Sequence, residues 1–185
     1  LVALLLAVRQ GRSLADMIDQ WVVEHFTNLA LHGYLGRADG TLMAFFPGLP
    51  ALFRLGLELG VPIYVSGVVI SAICSYLAAV ALARLGGPLA AVAWLFAPTA
   101  VFTIVPYTEA LFCAVAFWAW ERARRAHWAT AALLAGEACT VRVSGLFLVG
   151  ALAVRALSGT GGWLDGKSGH DKGRRLLWLL LQTAV

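Results

Sequence analysis

Residues 62–83 read PIYVSGVVISAICSYLAAVALA, and no charged residue occurs from Leu59 to Ala83. A second uncharged stretch runs from Leu85 to Thr108. Apolar runs of about 20 residues match the length at which an α-helix crosses the hydrocarbon core of a bilayer, where a helix satisfies its own backbone hydrogen bonds. The wider composition agrees. The chain is 61% hydrophobic and 13% charged, with a mean hydropathy of +0.81, whereas soluble domains carry about a quarter charged residues. A transmembrane barrel would alternate in segments of about ten residues, and no such alternation is present. The sequence predicts an all-α, polytopic transmembrane protein, with residues 1–185 forming a single, partial transmembrane domain.

Outward from that span toward the start of the chain lies a more polar stretch, residues 9–52, preceded by the apolar remnant Leu1–Val8. Within it Ser13 is placed to cap a helix running to about His32, because Leu14, Met17, Ile18, Trp21, Val22, Phe26, Leu29 and Ala30 recur mostly at three- and four-residue steps. Such a helix is amphipathic and lies at the membrane interface. Gly33, Gly36 and Gly40 break it, and Pro47 and Pro50 lead into a short helix at 51–60.

Toward the other end, Arg84, Gly86, Gly87 and Pro88 predict a turn, followed by a span at about 88–105 and another at about 107–120. Glu121-Arg122-Ala123-Arg124-Arg125 is the strongest basic cluster between spans, and basic loops stay cytoplasmic. This puts Arg84 in the cytoplasm as well, and puts residues 9–52 and the Pro106 turn together on the opposite face. Residues 128–156 are read as a hairpin of two short helices broken near Arg142 to Gly145. One continuous span would leave Lys167, Lys172, Arg174 and Arg175 on the wrong side. The apolar run Leu176–Val185 is read as the start of a further span, and the whole as a fragment of a longer protein. Cys74, Cys113 and Cys139 have no metal or redox spacing and are read as small apolar residues.

Several residues in this scheme can carry chemistry. Asp19 and Glu24, on an amphipathic helix beside apolar surface, can act as general bases on a hydroxyl, although for either one taken alone a solvated helix face is the simpler reading. His25 and His32 are seven residues apart with no third ligand, a weak metal signal. Glu109 stands at the start of a span, where its charge suits the helix N-terminus, with Thr108 assisting as a cap. Arg142, between apolar segments, needs a carboxylate or a phosphate as partner. Glu137, five residues earlier, is the partner a purely structural reading supplies.

The stretch from Trp21 to Tyr34, WVVEHFTNLALHGY, followed by AFFPGLP at 44–50, resembles the GPI mannosyltransferase 2 (PIG-V) family. Its members carry W-D-x-x-[HY]-F, I-A-x-x-G-Y and A-F-F-P-x-x-P after the first span. Pro98-Thr99-Ala100, Tyr107 to Phe112 and Arg142 to Leu146 look like later signatures in the right order, so the resemblance covers about residues 15–150. It implies a GT-C-type fold with its site on the extracytoplasmic face, the loop 9–52 being of the catalytic kind. The donor is a polyprenyl-phosphate-mannose, the acceptor a lipid-linked or surface glycan, and the membrane lipids are the surroundings. An acceptor hydroxyl attacks the anomeric carbon with inversion, a loop acid takes its proton, and no cofactor, metal or nucleic acid is implied.

Carried onto this sequence, Trp21, His25, Tyr34, Phe46, Pro47, Tyr107, Glu109 and Arg142 are candidate substrate-binding residues. The family's loop Asp, however, falls on Val22, which accepts no proton. Asp19, three residues earlier and about 60° round a helix, is the first substitute and Glu24 the second. Val22 equally suits a non-enzymatic membrane subunit that keeps the fold. A transporter is disfavoured, because the polar residues gather in one loop and not at the midplane. The Ala-, Leu-, Gly- and Arg-rich composition fits a GC-rich bacterial genome, which would place the protein in the plasma membrane, and a eukaryotic member would sit in the endoplasmic reticulum.

Overall fold

The computed structural model describes residues 22–34 and 45–158. Among these residues the chain is all-helical, without a strand: α1 (Val22–His32), α2 (Gly48–Glu58), α3 (Ile63–Gly86), α4 (Pro88–Leu95), a 3-10 segment (Pro98–Thr103), α5 (Thr108–Arg124), α6 (Trp128–Val141) and α7 (Ser144–Ser158). Asp19, Trp21, the expected cap at Ser13, Gly36, Gly40, the leading remnant and the basic and apolar stretches after Ser158 lie outside the described residues.

α3 is the one helix among the described residues that is long and apolar enough to cross a membrane. It starts behind Pro62 and runs to Gly86, three residues past the expected end. α5 lies beside it in the same direction. Gly67 faces Pro106, the Trp118 Nε1–H donates to Leu77 O (3.0 Å), and an Arg124 Nη1–H donates to Leu85 O (2.8 Å). Two adjacent parallel helices need a return leg, and the sequence predicts one span for it at 88–105. The structure corrects this: α4 stops after eight residues, and Pro98–Thr103 continues as 3-10 helix. Pro98 removes a backbone donor, so an α-helix cannot run through it intact. The carbonyls freed by the irregular backbone find partners on α3, where the Ser71 hydroxyl donates to Val105 O (3.0 Å) and the Ser75 hydroxyl to Thr103 O (2.7 Å). Apolar surroundings offer no water for that task.

α5 extends to Arg124, so Glu121 to Arg124 belongs to its last turns and not to a loop as expected. α6 returns antiparallel to it, and α7 descends again after a break at Arg142 and Val143. The seams are built from small residues. Ala110 and Ala114 meet Cys74 and Ala78, and Ala119 and Ala123 meet Ala131, Ala132, Ala135, Leu152 and Ala156. Small side chains let backbones approach closely and make up by dispersion what they lack in area. The large apolar side chains point outward instead: Phe96 is 84% exposed, Phe147 78% and Tyr76 69%. At the other pole of size, α1 and α2 form an aromatic knot, with Phe26, Ala30, Leu49 and Phe53 buried together.

Arginines gather at one end of the bundle. Arg84 and Arg122 each lie over the Trp118 ring, 4.9 and 5.0 Å from its centroid. Glu121 is 2% exposed and takes ion pairs from Arg122 Nε (2.8 Å) and Arg125 Nε (2.5 Å), so a buried carboxylate is compensated twice.

The chain leaves α5 by a Schellman turn. His127 N–H donates to Arg122 O (2.9 Å) and Ala126 N–H to Ala123 O (3.1 Å), with Ala126 at φ 62°. The same turn ends α2, where Gly60 holds that position at φ 76°. Alanine in the left-handed region carries a steric cost that glycine does not. Ala126→Gly is expected to stabilise the protein by about 1 kcal/mol, readable as a higher melting temperature, and an unchanged or lower one contradicts it.

Candidate functional site

The end of the bundle opposite the arginines is where the sequence-predicted residues collect. Arg142 caps α6 in an extended conformation (φ −155°, ψ 150°), between two helices that Gly145 holds together. Its Nη1–H donates to Glu109 Oε1 at 2.6 Å, with the side chains 41% and 33% exposed. Glu109 is in the first turn of α5, where the partial positive charge of the helix terminus adds to that of the guanidinium. The sequence reading of an Arg142–Glu137 pair is thereby corrected. Glu137 lies on α6, the helix that Arg142 caps, but it makes no ion pair with Arg142 among the described residues. Its backbone carbonyl accepts from the Thr140 hydroxyl (2.8 Å), and the residue lines a cavity. The cap at Glu109 is also revised: Tyr107 is the N-cap of α5, without a side-chain capping bond. Half-exposed ion pairs contribute about 0.2–1 kcal/mol to stability, so the Glu109–Arg142 pair matters more for where it fixes the guanidinium than for what it adds to the fold.

The cavity, of about 440 Å³, lies between α2, α5 and α6 and is lined by Pro47, Gly48, Leu52, Leu111, Glu137 and Thr140 among others. Gly48 makes the close approach possible. A Cβ there would lie 2.9 Å from both the carbonyl and the hydroxyl oxygen of Thr140. Pro47-Gly48 is thus seated on the residues just before Arg142, and Leu111, two residues after Glu109, reaches both the cavity and the aromatic knot. Tyr107 is half-buried, its ring 6.0 Å from that of Phe102. Phe46 is 37% exposed beside Pro47.

The polar stretch is tied down at both ends of its undescribed part. The Tyr34 hydroxyl donates to Phe45 O (2.9 Å), and burial raises its pKa above the ordinary 10.0, so it remains a donor at neutral pH. Phe45 in turn stacks on His25 (4.9 Å between centroids, 29° between planes) and meets Phe26 edge-on (5.4 Å). His25 Nδ1 is buried with no hydrogen-bond partner among the described residues. A buried polar atom left unpaired costs free energy until something supplies a partner. His32 is exposed at the last turn of α1. Glu24 and Val22 belong to the first turn of α1. Among the described residues no group of three or more His, Cys, Asp or Glu gathers where it could hold a metal ion.

The structure therefore pairs Glu109 with Arg142 next to a cavity whose lining includes Pro47 and Val141, the residue before Arg142, and places Tyr34, His25 and Phe45 in a neighbouring cluster joined to that cavity through the aromatic knot and Leu111. Gly48 and Thr140 are site residues the sequence reading did not name. They are 92 positions apart, and nothing local to either announces the contact.

Among the described residues the chain is all-helical, with small residues in its seams, large apolar ones outside, arginines at one end and a held guanidinium at the other. Comparison with curated proteins supplies the family. The chain is 34% identical over 154 aligned residues to the GPI alpha-1,6-mannosyltransferase 2 proteins of Rattus norvegicus, Mus musculus and Homo sapiens, in each case over 73% of this chain and 31% of the relative. No family model matches the chain, and no solved structure matches it. The chain belongs to the GPI mannosyltransferase 2 family, and it spans about a third of the length of the curated relatives it matches.

Proposed function

We propose that the protein is a multi-pass membrane mannosyltransferase of the GT-C type, taking mannose from a polyprenyl-phosphate-mannose and transferring it, with inversion, to a lipid-linked or surface acceptor. The membrane reading is supported by the outward-facing Phe96, Phe147 and Tyr76, which would be a liability in water, and by the arginines at one end, which suits the cytoplasmic face. The observation that carries the catalytic reading is the Glu109–Arg142 pair on the opposite end, beside the cavity that Pro47 and Gly48 help to line.

Arg142 commits Nη1 to Glu109, and its remaining N–H donors are open to a phosphate. In this reading the acceptor hydroxyl gives its proton to a loop carboxylate, Asp19 first and Glu24 second, as its oxygen attacks the anomeric carbon. The bond from that carbon to the phosphate oxygen breaks on the far side, and the leaving phosphate keeps the electron pair. Arg142 balances the charge that develops there. His25 offers its unpaired ring nitrogen to a substrate hydroxyl. Trp21, Tyr34, Phe46, Pro47 and Tyr107 shape the sugar and lipid entrance.

A second reading is favoured by Val22 at the family's Asp position: a membrane subunit that keeps the fold and has lost the base. Transfer from labelled polyprenyl-phosphate-mannose, in membranes carrying the full-length gene product, separates the two. If Asp19 is the base, Asp19→Asn lowers the rate by about 100-fold or more. If the wild type is silent and Val22→Asp alone transfers, the non-catalytic reading holds.

A further inference from the structure

On the side of α5 away from the 440 Å³ cavity, a second, larger concavity of about 650 Å³ runs between α3, α5 and α7. Its walls are Leu82, Phe112, Phe117, Trp120 and Phe147, and Arg124 stands at its basic end. Arg124 donates to Leu85 O, a carbonyl, and pairs with no carboxylate among the described residues. Glu121, the carboxylate nearest in sequence, is already taken by Arg122 and Arg125. Arg155, in the last turn of α7, lies 5.7 Å from the Trp120 ring centroid, and its buried Nε has no hydrogen-bond partner among the described residues. The groove thus has an apolar body with Arg124 lining one end, Arg155 packs on its wall residue Trp120, and neither guanidinium pairs with a carboxylate among the described residues.

We propose that this groove holds an anionic glycerophospholipid of the leaflet at the basic end, with an acyl chain along α5 and the phosphate between Arg124 and Arg155. This rests on the membrane reading above. The dimensions favour a lipid over a helix. From Phe112 to Arg124 the groove follows α5 for about 18 Å, close to the roughly 15 Å that one leaflet contributes to the hydrocarbon core, whereas a spanning helix needs about 30 Å. The polarity selects the leaflet. A polyprenyl phosphate bound at Arg142 would put its charge at the Ser144 end of the groove, where Arg124 and Arg155 are not.

The test uses the full-length protein, extracted in neutral detergent and reconstituted in phosphatidylcholine with or without phosphatidylglycerol. Retained lipid is read by native mass spectrometry and stability by thermal melting. The wild type is expected to retain phosphatidylglycerol over phosphatidylcholine by roughly fivefold and to melt higher when it is present. Arg124→Gln abolishes that preference and Arg124→Lys largely keeps it. Phe147→Ala, on an exposed wall, lowers retention of both lipids and leaves the preference. A merely structural Arg124 would lower melting equally in both lipids and leave the preference intact, which overturns the proposal. So does equal retention of the two lipids, retention of none because another helix of the protein fills the groove, or displacement by polyprenyl phosphate. Release of the protein from membranes by alkaline carbonate would instead sink the membrane reading itself.

Discussion

Arg142→Gln is expected to reduce mannose transfer by about 100-fold or more while leaving the protein folded in the membrane. Glutamine removes the charge and is too short to keep the contact, but Glu109 is one-third exposed and so is not stranded in apolar surroundings. The melting temperature should therefore move little, since half-exposed pairs contribute about 0.2–1 kcal/mol. In the proposed reaction the loss falls on the step in which a phosphate leaves, because that is where a fixed cation has something to stabilise. The double exchange Glu109→Arg with Arg142→Glu separates the two roles. It restores an ion pair between α5 and the α6–α7 break but moves the guanidinium to the other side of it. Recovery of melting temperature without recovery of transfer is the expected pattern. Full recovery of transfer would mean that the pair only ties the helices together.

Gly145→Ala should be the most damaging single methyl in the chain. A Cβ at that position would lie 2.5 Å from Ala138 C and 2.6 Å from Cys139 Cα, and also against the Cys139 amide nitrogen. These are backbone atoms of α6 and cannot rotate away as a side-chain end would. The helices must separate, at a cost of about 1–3 kcal/mol. The displaced segment begins at Arg142, so transfer should fall together with the melting temperature. Gly150→Ala is the control on the same helix. Nothing lies within 4 Å of its would-be Cβ, and alanine favours a helix by roughly 0.8–1 kcal/mol over glycine. The two substitutions should shift melting in opposite directions, and similar shifts would contradict the close approach of α6 and α7.

The hairpin broken near Arg142 was legible from charge placement and from the Gly and Ser around it, and α3 from its uncharged length. The span expected at 88–105 was not, because composition averages over Pro98 and says nothing of the Ser71 and Ser75 hydroxyls that make a 3-10 segment tolerable there. The basic cluster reads as a loop for a related reason. A charged run looks solvated in sequence, and only the packed structure shows that Glu121 is buried beneath its own arginines. The sequence singles out Glu109 and Arg142, but not as partners. Across 33 positions nothing in the sequence ranks Glu109 above the nearer Glu137, and it is the extended backbone at Arg142 that turns the guanidinium toward α5.

The reading as a polyprenyl-phosphate-dependent transferase is tested most directly by donor choice. Membranes carrying the full-length gene product would be given labelled mannose either on a polyprenyl phosphate or on a nucleotide, with synthesis of the lipid-linked donor blocked. Transfer to the acceptor from the polyprenyl phosphate alone, lost in Arg142→Gln, is the expected result. Transfer directly from the nucleotide sugar, or an Arg142→Gln variant as active as the wild type, would contradict it.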